Sequence, residues 1–416
     1  MKYRWFLLPA AAALGIAALA APDRDVRGAE HPERIVSKRI RILSSERYGE
    51  LRDAWEAYTK GHPKDPMGWT ELAKASRYAG VPCEEYIRFA EKAAYLDSGY
   101  ADGLTALGSY RWCVYCPTEP VDPSAGIALL ERALLIDPGY GEPHYTLWVM
   151  KMSEGKKEEA NLHLTALLDG GHIPEPLVDL AQNMLAGVDR NGIVLTNGDN
   201  DTYPPLALQA ARGFRTDVAI VNLSLLNLDW YREGLRNGPW KVPVPEPPAS
   251  VKGPTSPPAL EGLIENLARE RWRRPLYYSV TVALDYYPHP NELSLEGIVY
   301  RVLPETGETT RVDGEALARN LEEVYRMESA TSLGIDWDAY SALRSLMVNY
   351  AAGYGRLAEA KAAGGDRTGA RRSMEQGLSL CEFHGLNEWG ERLAGAWAEW
   401  DEDSPEPERW LERFKK

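Results

Sequence analysis

The spacing of apolar residues divides the chain into helical and sheet-forming regions. From about residue 41 apolar positions recur every three to four residues, which predicts amphipathic helices. Two of these helices have similar sequences, AEKAAYLDSGY at 90–100 and LLERALLIDPGY at 129–140. Each ends in Asp followed closely by Gly or Pro, a combination that stops a helix. The first part of the chain is therefore predicted to be an array of short helices.

One helical unit returns with the same internal spacing far along the chain. The unit at 144–167 has its counterpart at 354–377, 210 residues later. Lysine, glycine and alanine are among the residues that recur at the same positions: Lys151, Gly155 and Ala160 in the first unit, and Lys361, Gly365 and Ala370 in the second. Glycine permits a tight turn between two helices, and alanine lets antiparallel helices pack closely. A unit of about 34 residues with these features resembles a tetratricopeptide-type helical hairpin.

Between the two helical regions the pattern changes to short β-branched runs. GIVLT at 192–196 and DVAIVNLSLL at 217–226 predict strands, and 204–213 between them predicts a helix. This order predicts a parallel strand pair. Two further strands, a helix and an exposed proline-rich loop are predicted at 275–284, 296–305, 258–272 and 238–258. The predicted fold class is α + α/β: a tetratricopeptide-like α-hairpin array, a small α/β domain with a mainly parallel sheet, and a C-terminal helical hairpin.

The N-terminal sequence is typical of an export signal. Lys2 and Arg4 precede an apolar run, and Ala18-Leu19-Ala20 fits the cleavage site of a secretory signal peptide. If this segment were not cleaved, it would anchor the protein in a membrane. The sequence therefore predicts an exported, periplasmic protein. The predicted domains are a signal peptide (1–20), a linker (21–40), tetratricopeptide-like repeats (41–185), an α/β domain (186–312) and a C-terminal helical region with one repeat-like hairpin (313–416).

The charge of the chain narrows the choice of partner. Its formal net charge is -14 at pH 7. Nucleic-acid binding depends on clustered Lys and Arg that meet phosphates, so the acidic balance argues against it. The surplus of acidic residues favours solubility instead. The sequence has no nucleophile elbow, phosphate loop or His-rich metal motif, and no cofactor is predicted.

Three motifs together resemble a known family. They are LTNGDNDTYPPLALQAARGFRTDVAIVNLSLLNLDWY (195–231), RPLYYSVTV (274–282) and LEGIVYRVLP (295–304). They are similar to the C-terminal, extracytoplasmic part of multi-spanning bacterial membrane proteins related to transmembrane protein O-mannosyltransferases. The resemblance covers about residues 190–380 and implies an α/β module flanked by helical repeats outside the membrane. The glycosyl-transfer chemistry of that family belongs to a multi-spanning part that this sequence does not contain, so transferase activity is not inferred.

The stretch NGDNDTYP at 197–204 follows the first predicted strand directly. In open parallel sheets, ligands bind beyond the carboxyl ends of the strands. Polar residues after the first two strands are therefore candidate ligand-binding residues: Asn197, Asp199, Asn200, Asp201, Asn222, Ser224 and Asp229. Asp199 and Asp201 could bind a hard cation such as Ca²⁺ or Mg²⁺, accept hydrogen bonds from a sugar, or carry out acid–base chemistry. Asp201 or Thr202 could instead cap the helix that follows.

Two cysteines lie in an enlarged loop of one predicted repeat. Cys113 and Cys116 occur there in the sequence RWCVYCP. A disulfide is predicted, because exported proteins keep paired cysteines oxidised. The bond could join Cys113 to Cys116 or to Cys83. A thioredoxin-like redox pair would need the first cysteine at a helix start after a strand, and a zinc site would need Cys83 and a fourth ligand.

These observations predict a binding protein and leave an enzyme as the alternative. Stacked helical hairpins form grooves that hold a peptide or helix of a partner. The sequence therefore predicts a scaffold for protein–protein interaction in the cell envelope, without catalytic activity. The alternative is an envelope glycan-related enzyme, or a metal- or sugar-binding module, centred on Asp199 and Asp201.

Overall fold

A computed structural model describes residues 31–112, 122–285 and 290–415. Within these residues the chain forms two compact units that divide between His172 and Ile173. The predicted signal peptide, residues 21–30 of the predicted linker, and both Cys113 and Cys116 lie outside the described residues. Among the residues described, no helix combines the length and the apolar character needed to cross a membrane.

The first unit is built from helical hairpins. Its helices are α1 (Ser45–Gly61), α2 (Pro66–Tyr78), α3 (Cys83–Leu96), α4 (Ala101–Arg111), α5 (Pro123–Ile136), α6 (Glu142–Ser153) and α7 (Lys157–Asp169). Helices α2 and α3, α4 and α5, and α6 and α7 pack as three successive pairs. This arrangement confirms the predicted tetratricopeptide-like array.

Small residues stand where the paired helices cross. A Cβ atom built on Gly126 of α5 would lie 2.9 Å from the carbonyl oxygen of Gly108 of α4. The backbones of these two helices therefore touch, which only glycine allows at this distance. In the next hairpin Ala160 is completely buried. The close crossing that the sequence predicts at this position is confirmed.

The turn after α6 explains why glycine recurs at the same position of the two repeats. Gly155 has a φ of 73°, a value that favours glycine, and the Lys156 N–H donates to the Lys151 carbonyl oxygen at 2.9 Å. The second unit has the same turn in its C-terminal hairpin. There Gly365 has a φ of 87°, and the Asp366 N–H donates to the carbonyl oxygen of Lys361 at 2.9 Å.

The second unit contains a mixed sheet. Its strands are β1 (Ile193–Thr196), β2 (Ala219–Asn222), β3 (Leu276–Ser279), β4 (Asn291–Leu295), β5 (Val299–Thr306) and β6 (Thr310–Val312). Within the described residues the strand order is β2-β1-β3-β5-β4-β6. Strand β1 pairs in parallel with β2 and β3, and β4 pairs in parallel with β6. Strand β5 is antiparallel to both of its neighbours.

Helices cover the sheet and extend to the C-terminus. They are α8 (Glu175–Ala186), α9 (Asp199–Arg212), α10 (Asp229–Asn237), α11 (Ser256–Arg269), α12 (Gly314–Ala318), α13 (Ser341–Leu346), α14 (Val348–Ala363), α15 (Arg367–Phe383), α16 (Asn387–Trp400) and α17 (Glu406–Phe414). Ile193, Leu195 and Val221 of the sheet pack with Leu263 of α11 in one apolar core. Helices α14 and α15 form the predicted C-terminal hairpin. Ala370 is completely buried, as its repeat position predicts.

One arginine ties α8 to the start of β2. Arg215 has a φ of 48°, and its guanidinium donates to the carbonyl oxygens of Leu185, Val188 and Asp189 at 2.6, 3.1 and 3.0 Å. The same group pairs with Asp217 at 2.9 Å. Carbonyl groups at a helix end lack intrahelical partners, so this contact satisfies the C-terminal end of α8.

Two segments without regular structure are packed more closely than their sequences predict. The proline-rich segment between α10 and α11 forms no helix or strand, but Val242 and Val244 are buried in the core of the sheet. The prediction that this whole loop is exposed is wrong, because two valines between its prolines reach that core. Of the predicted linker, residues 31–40 are described, and Ile35 packs among buried residues of α1 and α2.

Candidate functional site

The carboxyl ends of three parallel strands meet at one edge of the sheet. In the order β2-β1-β3, these strands end at Asn222, Thr196 and Ser279. Thr196 is directly opposite Asn222 in the β1–β2 register. All three polar side chains are buried. The parallel strand pair that the sequence predicts is present, and it places the segments after β1 and β2 at the same edge of the sheet.

Asp201 caps the helix that starts at this edge. One carboxylate oxygen of Asp201 accepts the Gly198 N–H at 2.8 Å, and the other accepts the Asn197 N–H at 2.9 Å and the Thr281 hydroxyl. Gly198 is the N-cap of α9, and Asp201 is its third helical residue. Burial raises the pKa of Asp201, and the hydrogen bonds from Thr281 and the backbone partly oppose this rise. The carboxylate therefore satisfies backbone groups at a helix start.

A second chain of hydrogen bonds joins β1, α9 and β2. The Thr202 hydroxyl lies 2.8 Å from the hydroxyl of Thr196, and it accepts the side-chain amide of Asn222 at 2.9 Å. The carbonyl oxygen of the Asn222 side chain accepts the Leu225 N–H at 3.0 Å. The buried polar groups at this edge thus satisfy one another, as buried polar groups must.

The remaining predicted residues do not converge on one point. Asp199 is exposed and Asn197 is half-buried, and Asn197 contributes its N–H to the cap. The carbonyl oxygen of Ser224 accepts the side-chain amide of Asn227 at 3.0 Å. Asp229 is exposed at the start of α10 and pairs with Arg232. Of the seven candidates, Asp201 and Asn222 join buried networks at the strand ends, whereas Asp199 and Asp229 face solvent.

Arg232 organises the loop after β2 and carries no recognisable sequence signal. Its buried guanidinium donates to the carbonyl oxygen of Leu226 at 2.6 Å and to the hydroxyl of Thr255 at 3.2 Å. It also pairs with Glu246 at 3.1 Å. The α10 face looks like an ordinary charged helix in sequence, so the inward direction of this arginine could not be read from it.

A small cavity lies beside the cap. Its volume is about 10 Å³, and its polar lining includes Asn200, Asp201, Ser279, Thr281 and Asn349. This is room for about one water molecule. Small-molecule sites commonly have about 300–1,000 Å³. The cavity is therefore far too small for a sugar ring in this conformation.

The Asp201 carboxylate at the acidic turn is poorly placed to bind a metal ion. Both oxygens of the Asp201 carboxylate already accept hydrogen bonds from protein donors. Across the described part of the chain, no three His, Cys, Asp or Glu side chains stand where they could share a metal ion. Hard cations such as Ca²⁺ prefer at least six oxygen ligands. The arrangement supports the helix cap over the metal site.

The disulfide predicted for Cys113 and Cys116 falls outside the described residues. Cys83, at the start of α3, is disulfide-bonded. Cys381 is a buried free thiol, and burial raises its pKa to about 12. A thiol with this pKa is not a reactive thiolate near neutral pH.

The predicted partner surface belongs to the first unit. Helices α2, α4 and α6, the first helices of the three hairpins, are neighbours in space. Each contributes a carboxylate to one surface, which we call the acidic face: Glu71, Asp102 and Glu142. A continuous face across several hairpins is the form in which repeat proteins present binding surfaces.

Residues 177–243 match the profile of a family described as TMEM260-associated domain 2. The matched stretch runs from α8 into the segment after α10 and includes the acidic turn. It agrees, over these residues, with the resemblance to membrane proteins related to O-mannosyltransferases. No curated protein matches the sequence.

Two crystal structures of MamA overlap part of the chain. They have TM-scores of 0.27 and 0.26 and sequence identities of 18% and 19%. The overlaps cover 43% and 41% of this chain and 90% and 84% of the MamA chains. An overlap at this level shows neither a shared function nor a shared ligand.

Proposed function

We propose that this protein is an exported, non-catalytic scaffold that binds a protein partner in the cell envelope through its helical hairpins. The observation that carries the proposal is the side-by-side packing of α2, α4 and α6. Hairpins stacked in this way offer an extended surface to a peptide or helix. The export signal proposed for residues 1–20 supplies the location.

On this proposal the α/β unit is a structural module or a second interaction surface. The two candidate carboxylates do not act together, because Asp201 caps α9 while Asp199 is exposed. A glycan-directed enzyme or a sugar-binding module centred on these residues has less support, because the adjoining cavity holds about one water molecule.

Export is tested with a reporter that is active only outside the cytosol. Residues 1–41 are fused to such a reporter, and a matched fusion carries Lys2→Glu and Arg4→Glu. We expect activity in the envelope fraction from the first fusion and its loss in the second, because the positive region directs export. Activity confined to the cytosol in both would remove the envelope from the proposal.

Partner binding is tested by capture from an envelope extract and by measuring the purified candidate's affinity. Thr146 lies on α6, one turn from Glu142, and its hydroxyl is 3.0 Å from that of Ser109 on α4. Thr146→Lys should abolish capture because it places a charge at this contact between first helices. Leu333→Lys, at an exposed site in the second unit, should leave capture unchanged. A partner captured equally by both variants would contradict binding through the hairpins.

A further inference from the structure

Residues 31–41, which we call the arginine segment, lie across the first helices of the hairpins. The segment forms no helix or strand. Arg34 contacts Glu71 of α2 and Asp102 of α4, and Arg39 contacts Glu142 of α6. One part of the chain therefore meets all three carboxylates of the acidic face.

The carboxylate of Glu71 depends on this segment for its hydrogen bonds. The Glu71 side chain is completely buried. It accepts the Arg34 guanidinium at 3.0 and 3.1 Å and the Ile35 N–H at 2.5 Å. Lys74 of the same helix supplies a further contact at 3.2 Å. A buried charge requires paired donors, so whatever covers this position must supply donors to the carboxylate, as the Arg34 guanidinium and the Ile35 N–H do.

The other two carboxylates hold the arginines in different ways. Asp102 accepts Arg34 at 2.9 Å, Lys74 at 2.7 Å and the Tyr140 hydroxyl at 2.8 Å. Burial opposes ionisation of Asp102, but these partners, Lys74 foremost, hold its pKa below the usual value. The Arg39 guanidinium pairs with Glu142 and lies 3.8 Å from the centre of the Tyr145 ring.

Arg34 and Arg39 reach two helices that are not consecutive first helices of the hairpins. Residues 32–37 form no turn, whereas residues 38–40 form a turn in which the Ile40 N–H donates to the Ser37 carbonyl oxygen at 2.9 Å. The backbone from residue 34 to residue 39 is therefore shorter than the about 17 Å of a fully extended stretch. The long arginine side chains bridge the remaining distance to Glu71 of α2 and Glu142 of α6.

The contacts that hold the segment are mainly polar. Ile35 is its one buried apolar side chain among residues 31–41. The Arg34 side chain is 47% exposed although it makes two ion pairs. Ion pairs near the surface are screened by salt, and a segment with one buried apolar side chain opens more readily than a packed helix.

We propose that the acidic face binds an arginine-bearing segment without helix or strand from a partner protein, and that the arginine segment is its resident intramolecular ligand. The partner displaces residues 31–41 and supplies equivalent groups: a guanidinium and a backbone N–H for Glu71, and a second arginine for Glu142 and Tyr145. This inference rests on the proposed function and specifies the chemistry of its partner.

The test uses a labelled peptide with the sequence of residues 31–43, HPERIVSKRIRIL, and fluorescence anisotropy. The full chain should bind it weakly, because its own segment occupies the face. The full chain with Arg34→Ala and Arg39→Ala should bind it at least tenfold more tightly. Adding Glu142→Gln to that variant should weaken binding at least tenfold, and a peptide in which the arginines corresponding to Arg34 and Arg39 are alanine should not bind.

Amide hydrogen exchange serves as the folding control. In the double-alanine variant, exchange at residues 31–41 should accelerate while α2–α7 keep their protection. A folded variant that fails to bind the peptide, or binds the alanine peptide equally well, overturns the proposal. Should the variant lose protection in α2–α7, the unchanged full chain in 1 M NaCl provides the decision. Residues 31–41 should then exchange faster at high salt, and a segment that stays protected refutes a displaceable ligand.

The two proposals fail separately. If the peptide binds but no envelope partner is captured, the acidic face is a binding surface for arginine-bearing segments, and the proposed role in the cell envelope is rejected. If Thr146→Lys abolishes capture of a partner but the peptide does not bind, the scaffold proposal stands. The proposal that the arginine segment is a ligand of the acidic face then fails.

Discussion

The Nδ1 atom of His144 on α6 lies 2.9 Å from the Nδ1 atom of His163 on α7. One of these nitrogens must donate and the other accept, so the contact cannot survive with protons on both. Burial lowers the pKa of both rings, that of His163 to about 4. The unfolded chain takes up these protons near pH 6.5, whereas the folded chain does not.

We therefore expect stability to fall as pH decreases from about 6.5 towards 4. The unfolded state binds more protons in this window, so the free energy of unfolding decreases as pH decreases. Urea unfolding at several pH values measures it. His163→Asn should flatten the dependence in this range, and His62→Asn, at an exposed position, should not. Equal slopes for both variants would show that the pair does not contribute.

Glu296 should destabilise the fold at alkaline pH. Burial raises its pKa to about 7, although Arg301, 3.8 Å away, opposes the rise. The folded state then holds a proton that the unfolded state releases near pH 4.5, so stability decreases as pH rises between these values. At pH 8 we expect Glu296→Gln to be more stable than the unaltered chain by roughly 1–3 kcal/mol. Below pH 4.5 this advantage should vanish.

The matched control for Glu296→Gln is Glu305→Gln, on the exposed part of β5. Thermal unfolding at pH 5 and pH 8 separates the two variants. A stabilisation of similar size in both would attribute the effect to net charge rather than to burial.

Enlarging the small residues at the helix crossings should destabilise both hairpins. Ala160 and Ala370 are completely buried. Leucine at either position forces the helices apart, with an expected cost of about 1–3 kcal/mol. Ala363→Leu, at the exposed end of α14, should change stability by less than about 0.5 kcal/mol. Denaturant unfolding compares the three, and neutral substitutions at both buried sites would contradict the crossing geometry.

Loss of the Asp201 cap should weaken the start of α9. Asparagine at 201 places an amide NH₂ against donors that now meet carboxylate oxygens. We expect Asp201→Asn to cost about 1–2 kcal/mol and Asp199→Asn, which is exposed, less than about 0.5 kcal/mol. Calorimetry measures the unfolding. If Asp199→Asn abolished partner capture while stability remained unchanged, Asp199 would be a binding residue rather than a bystander.

The sequence predicts the elements whose signal is local. The apolar runs of β1 and β2 and the final Gly213 of the helix between them were sufficient to place this unit. Helix α9 begins at Asp199, five residues before the predicted start, and contains Pro204 and Pro205. Proline suggests a helix start because it lacks a donor. The prolines therefore predict a start that is too late, because the Asp201 carboxylate accepts the N–H groups of Asn197 and Gly198 and so begins the helix ahead of them.

The sequence does not predict β4 and β6, because these strands have no strong local pattern. Strand β4 carries polar residues and β6 has three residues, and both are defined by pairing with other strands. At the candidate site, the roles of Thr281 and Ser279 could not be predicted, because a hydroxyl group has no periodic signature. Residues 31–40 resemble a linker for a similar reason, since a segment without regular structure that is held by ion pairs shows no hydrophobic pattern.

The hydrogen bonds from Arg215 to three carbonyl oxygens determine which fragment of the chain can be transferred intact into another protein. A fragment that starts at β1 would leave the Arg215 guanidinium without the carbonyl oxygens of Leu185 and Val188 as acceptors. The matched stretch begins at residue 177, inside α8, which includes those acceptors. The smallest fragment that keeps these hydrogen bonds therefore begins with α8, one helix before β1. Recombination upstream of α8 preserves the hydrogen bonds, whereas recombination just before β1 removes their acceptors.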